Sequence, residues 1–283
     1  MEFINYKKFG KCAKLSKGGK TMLVTVDLGP RIIFYGFDGG ENIFYEDEAD
    51  LINKDGEYFD TNLKGKGIWH IYGGHRLWKS PEYIDTYYPD NSPVEVVQDG
   101  ESVTFVSEIE VTTGLRKSIK ITMDGDGNAT VEHKFQNCLE KATQPIALWA
   151  LSVMDKGAVA KIPLSVEDKG LLPNRNLVLW SYTDLKDERL QIQNDGITLS
   201  QKNIAKPIKL GAFVKDDVCV EIKGMTFSLS FPSDDGDYAD YCCNLETYTN
   251  NIMLEIETLS QIKSLKKGEY ALHTEKWRLE KTV

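Results

Sequence analysis

Short runs of β-branched and aromatic residues, separated by turn-forming residues, are the feature of this sequence that most restricts its fold. Such runs are typical of β-strands rather than helices. Asp99-Gly100, Lys223-Gly224 and the run at 124–128 supply residues that tolerate the positive φ of tight antiparallel turns. We therefore predict an all-β fold in which most neighbouring strands are antiparallel. The clearest strand segments are 21–26, 31–37, 94–98, 102–111, 115–123, 129–136, 146–154 and 177–182.

The length of the chain fits one large β domain. Its 283 residues contain no Pro-, Ser- or Gly-rich linker, and all-β sandwiches can reach this size undivided. No window of about 12 residues keeps a helical period, and no repeat of roughly 20–50 residues recurs. These absences exclude helical bundles, solenoids and propellers as leading interpretations. We expect a single domain over residues 1–283.

Composition and charge exclude several functional classes. The net charge is −9, and Lys and Arg form no cluster larger than short pairs, so we expect no nucleic-acid partner. No stretch approaches the roughly 20 apolar residues of a membrane span, and the first residues lack an apolar signal core. Five scattered cysteines without a C-x-x-C pair are typical of a reducing compartment. We expect a cytoplasmic protein without a membrane partner; the sequence leaves its oligomeric state open.

The glycine- and aromatic-rich segment at 68–82 is the strongest candidate for a binding site. It falls within the long irregular stretch 38–90, and loops of that length in compact domains are usually functional. Glycines allow a ligand to approach the backbone, and tryptophan faces can stack on the apolar side of a pyranose ring. The alternative is an aromatic loop that only packs on the sandwich. The polar and aromatic candidates are His75, Arg76, Trp78 and Glu82.

Histidines in and beyond this segment raise the question of a metal ion. His70 and His75 are five residues apart, a spacing that fits no helical metal motif, and the sequence shows no third ligand. His133 shares a strand face with Val131 and Phe135, which favours a hydrogen-bonded core histidine, and His273 shares a face with Glu275 and Trp277 that we interpret as structural. We therefore expect no metal site and no cofactor.

A second candidate is the strand at 252–258, which carries two carboxylates. Period-2 alternation places Ile252, Leu254 and Ile256 on one face of the strand. Glu255 and Glu257 then project together from the other face, which often points to water. If that face lines a cleft, burial and the paired negative charges raise the pKa of one carboxyl group and provide a general base. Further candidates for ligand contact are Glu246 and Trp149.

Several motifs occur in an order that is found in one known superfamily. Gly-Pro-Arg-Ile-Ile at 29–33 is followed by Gly-Gly-Glu-Asn-Ile-Phe at 39–44 and by Tyr-Gly-Gly-His-Arg-Leu-Trp-x-x-Pro-Glu at 72–82. Near the C-terminus, Leu-Glu-Ile-Glu-Thr at 254–258 precedes Lys-Gly-Glu-Tyr at 267–270. Together these motifs resemble the galactose-mutarotase-like superfamily, and in particular uncharacterised bacterial relatives of aldose 1-epimerase. The resemblance covers nearly the whole chain.

The resemblance implies a galactose-mutarotase-like β-supersandwich whose concave face binds a sugar. In that superfamily a glutamate takes the proton of the anomeric hydroxyl while a histidine protonates the ring oxygen, without a cofactor. The glutamate that matches the motif is Glu257, and the histidine of the Gly-Gly segment is His75. Weaker matches give additional candidates for sugar contact: Arg31, Arg76, Asn244 and Glu246.

The sequence departs from true mutarotases at their second histidine. That histidine stands in a His-x-Tyr-Phe-Asn context, which this chain lacks, and His133 in His-Lys-Phe-Gln-Asn is only a loose match. Sugar binding without catalysis is therefore an open alternative, because one fold supports many functions. Arg76 also leaves open the alternative that the sugar carries a carboxylate or phosphate. The leading expectation is an aldose-1-epimerase-like protein that interconverts the anomers of a small-molecule sugar.

Overall fold

Two ten-stranded sheets pack against each other in the computed structural model, which describes residues 1–56, 58–59, 63 and 67–282. The strand pairs within both sheets are antiparallel. The prediction of an all-β, mostly antiparallel sandwich is therefore confirmed. Short helical segments lie at Lys7–Phe9, Ile84–Tyr87 and Ala239–Cys242. None of the helices in these described ranges is long and apolar enough to cross a membrane.

The strands alternate with short turns along almost the entire chain. In chain order they are β1 (Glu2–Asn5), β2 (Lys11–Lys17), β3 (Lys20–Thr25), β4 (Ile32–Phe37), β5 (Asn53–Lys54), β6 (Trp69–His70), β7 (Gly74–Ser80), β8 (Glu95–Asp99), β9 (Ser102–Ile109), β10 (Leu115–Met123), β11 (Ala129–Asn137), β12 (Ala147–Met154), β13 (Val159–Pro163), β14 (Leu177–Leu179), β15 (Leu190–Ile192), β16 (Gly196–Ser200), β17 (Ile208–Ala212), β18 (Val218–Ile222), β19 (Met225–Ser230), β20 (Leu245–Thr249), β21 (Leu254–Leu259) and β22 (Tyr270–Lys281).

The order of the strands defines two sheets and a small ribbon. The first sheet runs β1-β2-β3-β4-β7-β12-β21-β20-β17-β14, and the second runs β15-β16-β13-β18-β19-β22-β11-β10-β9-β8. β5 pairs with β6 in a separate two-stranded ribbon. Each predicted strand segment overlaps one of these strands, and each predicted turn joins two of them: β8 to β9, β10 to β11, and β18 to β19.

The main hydrophobic core lies between the two sheets, where the inward-facing residues of alternating strands meet. β11 shows the period, since every second residue from Ala129 to Asn137 is buried. Aromatic rings from both sheets meet at Trp277 of β22. Its ring centroid lies 5.3 Å from that of Phe227, 5.7 Å from that of Tyr35 and 5.8 Å from that of Phe44. Trp277 therefore packs the second sheet against the first.

The stretch expected to be an irregular loop contains the central strand β7. All of Gly74–Ser80 is buried, because β7 lies inside the first sheet between β4 and β12 and is covered on both faces. A strand covered on both faces does not need the alternation of polar and apolar residues that marks a half-exposed strand. The expectation of one irregular stretch over 38–90 is therefore wrong at its centre.

Gly73 and Gly74 allow the chain to enter β7 beside its neighbours. Their φ values are +92° and +70°. A Cβ atom on Gly73 would lie 1.9 Å from the carbonyl oxygen of Tyr45, and one on Gly74 would lie 2.4 Å from that of Ile32. These glycines bring the backbone close to neighbouring chain segments and not, as the sequence led us to expect, to a ligand.

We expect Gly74→Ala to destabilise the fold more than Gly19→Ala. Both glycines have left-handed φ values, +70° and +73°, but nothing lies within 4 Å of a Cβ atom placed on Gly19. Gly19→Ala should therefore cost only backbone strain, about 1–2 kcal/mol. Gly74→Ala adds a clash with the carbonyl oxygen of Ile32, worth roughly 1–3 kcal/mol more. Urea unfolding measures both free energies, and equal losses would contradict the close approach of Gly74.

Candidate functional site

A pocket of about 300 Å³ opens on the face of the first sheet that is turned away from the main core. Its floor is formed by five neighbouring strands, β7, β12, β21, β20 and β17. Segments outside the sheet complete the walls, contributing Ile52, Lys54, Trp69, Glu82, Tyr87 and Tyr182.

Strand register explains how distant parts of the chain meet in this floor. Glu257 of β21 pairs with Leu151 of β12 on one side and with Glu246 of β20 on the other. Leu151 in turn pairs with Arg76 of β7. Directly paired residues in antiparallel strands point to the same face of a sheet. The row from Arg76 to Glu246 therefore lies on the face that carries the pocket.

The predicted alternation is confirmed within β21 but is wrong for Ile252, which precedes the strand and lines the pocket. Leu254 and Ile256 pack in the main core between the sheets, whereas Glu255 and Glu257 line the pocket. The two carboxyl groups therefore share a face, as period 2 requires. That face lines a cleft and does not point to bulk water.

Aromatic rings form one side of the pocket. The ring centroid of Trp78 lies 5.5 Å from that of Trp69, 5.3 Å from that of Tyr87 and 5.4 Å from that of Trp149. Tilted and edge-to-face contacts of this kind are favourable and hold the rings in place. At the rim, the Tyr87 hydroxyl donates a hydrogen bond to the carboxylate of Glu82. The pocket thus has a rigid apolar side next to polar groups.

Lys209 of β17 holds the catalytic candidate Glu257 in position. Its Nζ lies 2.9 Å from Oε2 of Glu257 and 2.7 Å from Oε2 of Glu246. The indole N–H of Trp149 donates to the same Oε2 of Glu257 over 2.9 Å. Burial alone would lower the pKa of Lys209, but the charges of Glu257 and Glu246 raise it above its ordinary value. The lysine therefore stays charged, and with the Trp149 indole it supplies both hydrogen bonds to Oε2 of Glu257.

Glu246 lies behind Lys209 and does not line the pocket. Burial raises its pKa well above the ordinary value; Lys209 opposes this rise, and the charge of Glu257 adds to it. Glu246 was predicted to contact the sugar. In the structure it contacts Lys209, and Lys209 lines the pocket instead.

Glu255 differs from Glu257 in its electrostatic environment. Burial, followed by the negative charge of Glu257, raises the pKa of Glu255 to about 8. At neutral pH most Glu255 carboxyl groups are therefore protonated and able to donate. The pocket floor consequently carries two carboxyl groups in different environments, and Glu255 is the one suited to give a proton.

Arg76 contributes a positive group to the aromatic side. Its guanidinium carbon lies 3.8 Å from the ring centroid of Trp78 and 4.9 Å from that of Trp69. It donates to the carbonyl oxygen of Ile71 over 3.1 Å, and its Nε has no hydrogen-bond partner within the described part of the chain. Burial, followed by the charge of Arg31, lowers its pKa to about 9. Arg76 retains unused donor capacity beside the pocket.

His75 does not reach the pocket, although it precedes Arg76. It pairs with Ser152 on the core-facing side of the sheet and is completely buried. Its Nε2 lies 2.6 Å from Nε2 of His133. Burial, followed by the charge of His133, lowers the pKa of His75 well below its ordinary value, so the imidazole is neutral. The expectation that His75 and Glu257 face one cleft is wrong, because alternation sends adjacent strand residues to opposite faces.

Arg31 and Asn244 also lie outside the pocket and stabilise the backbone instead. Arg31 donates to the carbonyl oxygens of Ile71 and Gly73 over 2.9 and 2.8 Å, and its Nη2 lies 2.6 Å from Oδ2 of Asp90. The Asn244 amide accepts from the backbone N–H of Val214 over 2.8 Å and donates to its carbonyl oxygen over 2.7 Å. The structure therefore does not bring either of these predicted sugar contacts into the pocket. The predicted residues that do line the pocket are Arg76, Trp78, Glu82, Trp149, Glu255 and Glu257.

Sequence reasoning missed several pocket residues. Lys209 stands in the apolar, fully buried strand Ile208–Ala212, and a lysine in such a run was a usable signal of a buried partner. Tyr248 follows Glu246 by two residues on the same strand face, so alternation could have identified it. Trp69 and Tyr182 approach from outside the first sheet; Trp69 lies in the predicted segment 68–82 but was not named as a candidate contact.

Comparisons with known proteins identify the fold. No protein-family model matches the sequence, and no curated protein matches it significantly. Three solved structures are similar over nearly their full length. A galactose mutarotase-like protein from Clostridium acetobutylicum is 12% identical, with a TM-score of 0.55, 99% of this chain covered and 98% of that chain. An aldose epimerase homologue from C. elegans is 13% identical, with a TM-score of 0.54 and coverage of 96% and 99%.

The third structure is a protein from Synechocystis sp. PCC 6803, which is 11% identical, with a TM-score of 0.57 and coverage of 95% and 96%. Identities this low establish the fold and leave activity to be argued from the site. The chain has the galactose-mutarotase-like fold, as the resemblance seen in the sequence implied.

We expect Lys209→Met to destabilise the protein by about 3–5 kcal/mol at neutral pH, because Glu246 and Glu257 lose their buried cation. The loss should shrink as the pH falls. Glu246 has a raised pKa in the folded state, so its protonated form favours folding. This favourable contribution is complete below the unfolded-state pKa. That contribution is lost as the pH rises toward the folded-state pKa.

Urea unfolding at several pH values measures this effect. Lys161→Met is the matched control, because Lys161 forms an exposed ion pair with Glu221 and should contribute less than about 1 kcal/mol. A loss in Lys209→Met that does not depend on pH would contradict the assigned role of the lysine.

Proposed function

We propose that this protein binds a monosaccharide in the pocket of the first sheet and interconverts its anomers by general acid–base catalysis. Glu257 is the proposed base and Glu255 the proposed acid. The five cysteines, all of them free, support a reducing compartment, and we place the protein in the cytoplasm on that basis.

The observation that carries this proposal is the hydrogen bonding of the Glu257 carboxyl group. Its Oε2 accepts hydrogen bonds from Trp149 and Lys209, whereas its buried Oε1 has no hydrogen-bond partner among the described residues. Buried carboxylate oxygens normally have partners, and an unsatisfied one requires an explanation. A ligand hydroxyl that donates to Oε1 supplies that partner and places its proton next to a base.

The size and lining of the pocket support a monosaccharide. Small-molecule pockets span roughly 300–1,000 Å³, and this one, at about 300 Å³, is at the lower end of that range. Trp69, Trp78 and Trp149 provide apolar ring faces, while Glu255, Glu257 and Lys209 provide donors and acceptors. A pyranose has the matching pair of surfaces, an apolar ring face and a rim of hydroxyl groups.

The proposed reaction needs two proton transfers to open the ring and the same two in reverse to close it. Glu257 takes the proton of the anomeric hydroxyl while protonated Glu255 gives its proton to the ring oxygen. The bond between the anomeric carbon and the ring oxygen breaks, and the open-chain aldehyde forms. Rotation about the adjacent carbon–carbon bond presents the other face of the carbonyl. Reclosure then reverses both proton transfers and restores the two carboxyl groups.

A second candidate substrate is a sugar that carries a carboxylate or phosphate. Arg76 supports it, because this buried guanidinium forms no ion pair within the described ranges and keeps an unpartnered Nε. Guanidinium groups bind such anions through paired hydrogen bonds. Glucose 6-phosphate and a hexuronic acid, compared with glucose and galactose, distinguish the two candidates by relative kcat/KM.

We expect Glu257→Gln to lower kcat for anomer exchange by about 10²–10⁴-fold, because the amide cannot accept the hydroxyl proton. Polarimetry or saturation-transfer NMR of fresh α-anomers measures the rate. Glu221→Gln, on β18 of the second sheet, is the matched control and should keep wild-type activity. If the wild-type protein binds sugars without accelerating exchange, the catalytic proposal is wrong and the binding-module alternative holds.

We also expect activity to fall as the pH rises above about 8, the pKa to which burial raises Glu255. Only the protonated carboxyl group can act as the acid, and its population decreases above that pH. The pH dependence of kcat/KM tests this, with circular dichroism at each pH as the control for unfolding. Activity that stays constant up to about pH 10 would remove Glu255 from the acid role.

A further inference from the structure

A second polar cluster lies inside the main core, on the opposite face of the first sheet from the pocket. It joins His75 of β7 in the first sheet to His133 of β11 and Glu275 of β22 in the second. All three side chains are buried. Nε2 of His75 lies 2.6 Å from Nε2 of His133 and 3.8 Å from Oε2 of Glu275. Three side chains that can bind metal therefore converge from both sheets.

The three side chains are oriented by further hydrogen bonds. Nδ1 of His75 lies 2.8 Å from Oγ of Ser152, and Nδ1 of His133 lies 3.0 Å from the carbonyl oxygen of His273. The indole N–H of Trp277 donates to Oε2 of Glu275 over 2.8 Å. Outer hydrogen bonds of this kind fix the tautomers and the orientation of metal ligands.

Proton positions distinguish two states of the cluster. A carbonyl oxygen can only accept, so His133 carries its proton on Nδ1 and has a free lone pair on Nε2. Without a metal ion, His75 must donate from Nε2 to His133, and its Nδ1 must accept from the Ser152 hydroxyl. With a metal ion, both Nε2 atoms act as ligands and His75 donates from Nδ1 to Ser152. The two states differ in the tautomer of His75, and both imidazoles are neutral in each.

We propose that His75, His133 and Glu275 bind one divalent transition-metal ion of the zinc class, which joins the two sheets from within the core. Two imidazole nitrogens and one carboxylate oxygen form a known Zn²⁺ donor set, in which water takes the fourth position. The ion compensates the charge of a carboxylate that is costly to bury among apolar residues. Zinc–nitrogen bonds of about 2.0–2.1 Å in tetrahedral geometry require the two Nε2 atoms to separate from 2.6 Å to roughly 3.3 Å.

The metal content of the purified protein is the first test. Because the cluster is fully buried, loading is controlled by refolding the chain from denaturant with Zn²⁺ or with a chelator. Zinc-refolded wild type should retain about one ion per chain after dialysis, and its thermal midpoint should exceed that of the chelator-refolded protein. His133→Gln should retain less than about one tenth of an ion per chain. His70→Gln is the matched control, because His70 hydrogen-bonds to Asp50 outside the cluster.

Nitrogen-15 NMR of the wild-type histidines tests the proposed metal site even if His133→Gln fails to fold. Chelator-refolded protein should show the Nε2–H tautomer of His75, and zinc-refolded protein should show the Nδ1–H tautomer. Less than about 0.1 retained ion per chain together with an unchanged Nε2–H tautomer overturns the proposal. The cluster would then be a chain of hydrogen bonds between the sheets.

Discussion

The register of β7, β12 and β21 decides which side chains can meet in this protein. These strands are covered on both faces, so each successive residue contributes to a different buried environment. His75 faces the core and Arg76 the pocket; Thr258 faces the core and Glu257 the pocket. A shift of one residue would exchange the two sets and bury every group among the wrong partners. At the start of β7, Gly73 and Gly74 bring the backbone close to its neighbours. This close approach fixes the register of the strand.

Charge in the pocket bears on the proposed substrate. Lys209 and Arg76 bring positive charge to the pocket floor, and Lys209 is paired with Glu257 and Glu246. Burial raises the pKa of Glu246 well above its ordinary value. A neutral ligand leaves this arrangement unchanged, whereas a bound anion adds a negative charge that further favours the protonated form of Glu246. Glu246, which does not line the pocket, therefore bears on the choice between a neutral and an anionic sugar.

The sequence predicted the elements of the fold better than their partners. Alternation and turn residues identified half-exposed strands such as β10 and β11, because one face of each meets the core. The same rule placed Glu255 and Glu257 on one face. It failed at β7, where both faces are buried. It also could not assign His75 to the core or to the pocket, because each of these places contains polar groups. Lys209 was missed because its carboxylate partners lie on β20 and β21, and no local pattern encodes that pairing.

The two polar sites share strands, and this bears on how their variants are interpreted. His75 is bonded to Ser152 of β12 and to His133 of the second sheet, so it helps to position the strands that carry Arg76 and Glu257. A substitution at His75 can therefore alter activity in the pocket from the opposite face of the sheet. Loss of activity alone would not make His75 a catalytic residue. A group that acts on the sugar should change kcat in a folded protein of normal stability, whereas a group that positions β7 should change stability and activity together.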